Sequence, residues 1–112
     1  MTTSKGAWLA LTDAAKQAPE PGRVSAKIFT HGSMEVRYYQ PVGKDAQTPH
    51  DRDELYVVAS GSGKFLVEGE TRPIATGDTL FVAAHAEHRF LDFTPDFAVW
   101  VFFYGPIGGE KP

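Results

Sequence analysis

The 112-residue sequence contains no cysteine. Disulfides, thiol nucleophiles, iron–sulfur clusters and thiolate zinc sites are thereby excluded, and His, Asp and Glu are left as the side chains able to ligate a metal. There is no run of Lys or Arg and the formal charge is −3, so the chain lacks the basic footprint that binds phosphate backbones or anionic membranes. The longest unbroken apolar run, Phe97–Tyr104, has eight residues, far short of the roughly 20 that span a bilayer as a helix. The first residues carry one Lys and no long apolar core, so neither a secretory nor a transit peptide is expected and a cytoplasmic protein is. Nucleic-acid and membrane partners are not expected. A chain this short has room for one core, so a single domain over residues 1–112 is expected, with any site built inside it or between copies of it.

What is present favours strands. Apolar residues make up 42% and charged residues 22%, an ordinary globular balance, but 11 Gly and 8 Pro are more punctuation than a helical bundle tolerates. Trp8, Leu11, Ala15 and Ala18 recur at helical spacing and predict a short helix over Ala7–Ala18, ended by Pro19-Glu20-Pro21-Gly22. Residues 1–22 are therefore read as an N-terminal arm. The remainder predicts eight strands: Val24–Phe29, Met34–Tyr39, Glu54–Ala59, Gly63–Val67, Glu70–Ile74, Thr79–Ala83, His88–Phe93 and Phe97–Tyr104. Turn residues such as His31-Gly32-Ser33, Glu68-Gly69 and Thr76-Gly77-Asp78 separate them. Eight short strands over residues 23–104 predict an all-β, antiparallel fold closing on itself, with room for side chains and one small ligand. The last strand has no polar face, so one side must fill the barrel while the helix or a second subunit covers the other. Residues 105–112 read as a mobile tail.

Strand parity selects the residues able to carry chemistry. Glu54 shares a face with Tyr56 and Val58, and His50 keeps that parity if the chain stays extended. A carboxylate aimed into a closed barrel must be paired, hydrogen-bonded or metal-bound. His88, Phe90 and Asp92 share a face on another strand, and His88 could approach the same region. Spacing alone leaves the ordinary readings open: a loop His beside a surface Glu, a satisfied core His88, an exposed turn residue in Asp53, and turn histidines in His31 and His85. The Ser60-Gly61-Ser62-Gly63 segment is a turn with no base at useful spacing, and no helix follows to make it a phosphate loop.

At these residues the sequence resembles the cupins, small jelly-roll barrels that commonly hold one metal. His50, Glu54 and Gly61 match the second His, the Glu and the closing Gly of the first cupin motif, and Gly77 and His88 match the opening Gly and the His of the second. Where the motifs have a first His, a Pro, a Gly and an Asn, this chain has Thr48, Ala83, His85 and Asp92. The resemblance implies an antiparallel double-stranded β-helix, the jelly-roll barrel, with a short N-terminal helix. It also implies one divalent metal held by His50, Glu54 and His88, because the Thr48 hydroxyl is a poor ligand. Two imidazoles and a carboxylate suit iron, zinc, manganese or nickel, and ligand type does not choose among them. Thr48, Tyr56, His85, Phe90, Trp100 and Phe102 are the expected pocket residues, with His85 or Tyr56 as candidates to move protons. The functions implied are a metal-dependent oxygenase, isomerase or lyase acting on a small polar molecule, or a non-catalytic module binding a small metabolite with structural metal or none. A homodimer is expected, since sheet edges and the apolar last strand need cover.

Overall fold

The computed structural model describes residues 5–112, together with the backbone of Thr2 and Thr3. Its strands, in chain order, are β1 (Thr2–Thr3), β2 (Gly6–Ala7), β3 (Ala26–His31), β4 (Met34–Tyr39), β5 (Asp53–Ser60), β6 (Ser62–Val67), β7 (Glu70–Ala75), β8 (Thr79–Val82), β9 (His88–Leu91) and β10 (Ala98–Tyr104), and the helix α1 (Leu11–Ala14) lies between β2 and β3. All eight predicted strands form. The predicted helix does not extend over Ala7–Ala18; its first residue, Ala7, belongs to β2, which pairs with β1, and only one turn, Leu11–Ala14, is helical. A single turn supplies too few hydrogen bonds to offset nucleation, so α1 depends on the contact its buried Ala14 makes with the sheet.

Two antiparallel sheets face each other, one ordered β3-β4-β10-β5-β8 and the other β7-β6-β9. The chain passes between them at β5 and β6, where Gly61 has φ +73° and a Cβ would collide with Thr94 Oγ1 and meet the Phe97 backbone at 2.8 Å. The β6–β7 hairpin pairs Val67 with Glu70 across a two-residue turn, with φ of +45° at Glu68 and +82° at Gly69, the handedness that matches strand twist.

Side chains alternating inward from both sheets, including Tyr56, Val58, Phe65, Phe90, Phe97, Val99, Val101 and Phe103, form the interior core. Each large apolar side chain buried there contributes about 1.5–3 kcal/mol before entropy is counted. The outer face of β10 is partly covered, as Ala14, Tyr38 and Ala98 gather Ile28, Ala59 and Trp100 into a second cluster. Two sequence expectations are corrected. Asp53 is buried rather than an exposed turn residue, accepting the Ala84 N–H at 2.9 Å and the Glu110 N–H at 2.7 Å. Those hydrogen bonds, with Gly108 N–H to the Asp51 carbonyl at 2.6 Å, fold residues 108–110 back onto β5, so the tail is docked.

Candidate metal centre

Glu54 stands near the start of β5, opposite Phe103 of β10 on one side and Val82 of β8 on the other. Its side chain points inward with Tyr56 and Val58, and all three are at most 1% exposed. His88 opens β9 in the other sheet, paired with Val67 of β6, and is equally buried. His50 lies in the loop before β5 with its side chain 28% exposed, at the mouth of the barrel. Two facing sheets and one loop thus bring together three residues distant in sequence.

The donor atoms of His50, Glu54 and His88 lie within 4.8 Å of one another, a group that could hold a metal ion. His50 Nδ1 is 2.8 Å from Glu54 Oε1, and His88 Nε2 is 3.1 Å from the same oxygen. The His88 Nδ1–H donates to the Ala86 carbonyl at 2.9 Å, which leaves Nε2 to face the carboxylate. Although close to Glu54, His88 Nε2 has no partner aligned for a hydrogen bond, and neither has Glu54 Oε2. Two buried acceptor atoms left without a donor, on side chains of one ligand-type cluster, are a condition a bound cation resolves. Burial works to raise the Glu54 pKa, but the hydrogen bond from His50 and the close approach of both imidazoles outweigh it and hold the carboxyl below its usual range. Burial likewise disfavours charge on His88, yet the contact with Glu54 and the Ala86 carbonyl raise its pKa.

The other expected pocket residues divide. Tyr56 packs its ring 6.0 Å from that of His88 and donates its hydroxyl to Gln47 Oε1 at 3.1 Å. Burial, then the charge of Glu54, drive its pKa well upward, so Tyr56 remains protonated. Phe90 lies in the core behind the cluster, its ring 5.0 Å from those of Tyr56, Phe65 and Phe97. Thr48 is exposed and lines a cleft of about 230 Å³ beside His50. His85 is exposed with φ +68°, and it is its backbone N–H that reaches the site, donating to the His50 carbonyl at 2.6 Å.

Trp100 and Phe102 are not brought to the site. The parity of β10 turns Val101 and Phe103 inward, so Trp100 packs against Tyr38 outside the barrel and Phe102 lines a separate groove with Phe29 and Met34. Asp92 also departs from the expected face: β9 ends at Leu91, and Asp92, with φ +49°, turns out beside Lys64.

Several residues at the site were not singled out from sequence. Phe103 packs edge-on to His50 at 5.0 Å. Asp45, 1% exposed, accepts the Tyr39 hydroxyl, the Gln47 N–H and side-chain amide, and the Phe90 N–H. The contact from Asp45 to the N–H two residues on is an Asx turn, the one signal by which the Asp-X-Gln spacing could have marked this loop.

Residues 35–104 match the family model described as the cupin domain. A Streptomyces coelicolor protein, SCO3923, described as uncharacterised, is 39% identical over 62 residues, which span 55% of this chain and only 59% of that relative. Among solved structures, KdgF from a Halomonas species superposes with a TM-score of 0.68 at 21% identity, covering 90% of this chain and 96% of its own. The DMSP lyase DddQ from Ruegeria pomeroyi gives a TM-score of 0.55 at 25% identity, over 65% of this chain and 39% of that one. Since the family match takes in well over half the sequence, and the segment it covers carries His50, Glu54 and His88, the chain belongs to the cupin family.

Proposed function

We propose that this cupin holds one divalent transition metal through His50, Glu54 and His88, and that it acts on a small polar molecule as a metal-dependent oxygenase, isomerase or lyase. The observation that carries this reading is the pair of buried, unpartnered atoms, Glu54 Oε2 and His88 Nε2, within one cluster of ligand-type side chains. Leaving a buried acceptor unsatisfied costs about 1–3 kcal/mol, and a bound cation relieves both at once. Iron, zinc, manganese and nickel all suit two imidazoles and a carboxylate. Such an ion supplies Lewis acidity and, for iron(II), reactivity toward dioxygen. The neighbour described as a DMSP lyase supports the lyase option.

The chain's own residues have separable roles in this reading. The Ala86 carbonyl fixes the ring and tautomer of His88, and the His85 N–H holds the His50 backbone. Glu54 offsets part of the cation's charge in a site too buried for water to do so. Tyr56, kept protonated, orients the Gln47 amide at the cleft wall, while the Thr48 hydroxyl stands at its rim. Residues 23–104 serve as the barrel and residues 1–22 as an arm of one functional unit, and a second copy of the chain covers the remaining apolar outer face. Sizing that shows only monomer at micromolar concentration overturns the dimer.

One observation favours a second reading, small-metabolite binding without turnover. Tyr56 is held protonated, His85 faces solvent and the nearby Asp45 carboxylate is taken up by four hydrogen bonds, so the candidate proton carriers around the cluster are each otherwise engaged. Elemental analysis of protein prepared without chelators or an affinity metal tests the shared premise. Near-stoichiometric metal in the wild type and its loss in His50→Ala is the expected result; a metal-free wild type overturns both metal-based readings. Oxygen uptake and product analysis with small catechols, thiols and keto acids then separate enzyme from binder.

A further inference from the structure

The cleft beside His50 has a chemical character of its own. It is walled on one side by the loop carrying Gln47 and Thr48, and on the other by the segment Gly22–Ser25 from the N-terminal arm. No acidic side chain lines it, although the chain as a whole is acidic. Its one permanently charged lining group is Arg23. The buried Asp45 carboxylate, next in sequence to the lining residue Ala46, is taken up by its four hydrogen bonds. Among the described residues the Arg23 guanidinium has neither a hydrogen bond nor an ion pair.

Arg23 is also held in place from both sides. Glu20-Pro21-Gly22-Arg23 is a tight turn, closed by the Arg23 N–H on the Glu20 carbonyl at 2.9 Å with Gly22 at φ +79°, the geometry that calls for Pro then Gly at its centre. Arg37, 1% exposed on β4, clamps both flanks of this turn. Its Nε donates to Ser25 Oγ and its NH2 to the Ser25 carbonyl, each at 2.7 Å, and NH2 also pairs with the Glu20 carboxylate. Glu20 in turn accepts the Lys27 N–H at 2.6 Å, and these contacts pull its pKa down to about 2. A buried, multiply bonded arginine is a costly way to secure a surface loop. Here it sets a second, unpaired arginine at the rim of a cleft that His50 of the metal cluster also lines.

We infer that Arg23 is a specificity residue that recognises a carboxylate on the molecule bound in this cleft. Resting on the metal reading above, the inference names the ligand class as a small carboxylate-bearing molecule with one polar end toward His50 and an anionic end on Arg23. A planar guanidinium free of internal partners offers a carboxylate two parallel N–H donors, whereas Gln47 and Thr48 provide neutral hydrogen-bonding groups along the wall. The cleft volume of about 230 Å³ suits a compact acid.

The test uses the full chain with its metal content measured independently. Malonate, succinate and glutarate, and their uncharged diamides as controls, are titrated calorimetrically into wild type, Arg23→Gln and Arg23→Lys. The expected result is that at least one diacid binds the wild type and outcompetes its diamide, which carries no carboxylate, about tenfold. Arg23→Gln should lose that preference and Arg23→Lys should keep most of it, with metal content equal in all three. Equal diacid affinity in wild type and Arg23→Gln, or no diacid binding to the wild type at millimolar concentration, overturns the assignment while leaving the metal reading untouched. Should the protein prove metal-free, the same comparison still decides the role of Arg23: an Arg23-dependent preference for the diacid upholds carboxylate recognition and shows that the metal reading alone has failed.

Discussion

Replacing Asp45 by Ala removes the acceptor that ties three parts of the barrel mouth together. Four donors converge on its carboxylate, namely the Tyr39 hydroxyl at 2.7 Å, the Phe90 N–H at 2.8 Å, and the N–H and Nε2 of Gln47 at 3.0 and 3.1 Å. Gln47 is only half-buried, so water replaces much of what its two donors lose. The Tyr39 hydroxyl and the Phe90 amide lie in the buried interior and gain no such substitute. Hydrogen bonds to a charged acceptor contribute about 1.5–3 kcal/mol each, and relief of the carboxylate's own desolvation offsets part of the sum. The expected cost is therefore about 3–5 kcal/mol, a large share of the roughly 5–15 kcal/mol that stabilises an ordinary domain. For a chain of this size that corresponds to a fall in Tm on the order of 12–20 °C. Asp45→Asn keeps one acceptor oxygen but points an NH2 at other donors, so it should fall between wild type and Ala. Urea unfolding followed by tryptophan fluorescence, with the slope compared between variants, measures the difference. An Asp45→Ala variant within about 1 kcal/mol of wild type at unchanged slope would refute the view that this carboxylate organises the loop.

Three further outcomes follow from the geometry. In metal-free protein, the raised His88 pKa contributes stability that is complete below the ordinary imidazole value of 6.5 and fades as pH rises through the higher folded value. The lowered Glu54 pKa contributes stability that is complete above 4.5 and fades as pH falls through the lower folded value. Metal-free stability from this pair is thus greatest between those limits. The stabilisation added by metal should instead grow toward about pH 8, because the ligands must be deprotonated imidazoles. Thermal melts across pH with and without metal check both limbs, and a metal effect independent of pH would count against the cluster as ligands. Gly61→Ala should cost about 2–4 kcal/mol, combining a left-handed backbone with a Cβ that meets the Phe97 backbone at 2.8 Å; a denaturation midpoint equal to wild type contradicts this. Asp53→Ala should speed hydrogen exchange at the Glu110 and Ala84 amides while leaving Phe90 protected, since Asp53 holds the tail and the turn before β9. Unchanged exchange at Glu110 would mean the tail docks without it.

Much of the barrel and the central cluster was legible in the sequence. Period-two alternation on β5 put Glu54 inward with Tyr56, because a carboxylate and a tyrosine on one face of a strand rarely share an interior without a partner, and Gly or Asp at the turns set the strand limits to within a few residues. Parity was silent on β10, where every residue from Phe97 to Tyr104 is apolar, and the choice between Trp100/Phe102 and Val101/Phe103 turned on which side met the second sheet. It also failed past the end of β9, since alternation holds only while the backbone stays extended and Asp92 is left-handed.

Helical spacing in the arm yielded only the single turn Leu11–Ala14, since so short and weakly apolar a stripe does not offset nucleation, and the tail was read as loose because a docking hydrogen bond between Asp53 and Glu110, 57 residues apart, leaves no local pattern. Composition and alternation, then, settled the all-β class, the N- and O-donor chemistry of the cluster and the inward face of β5, since each depends on residue type or on neighbours along the chain. Packing decided the rest: that His88 meets Glu54 across the barrel, that Asp45 braces the mouth, and that Arg37 ties Glu20 and Ser25 on either side of Arg23. Those contacts join strands and loops that only packing brings within a hydrogen bond's reach.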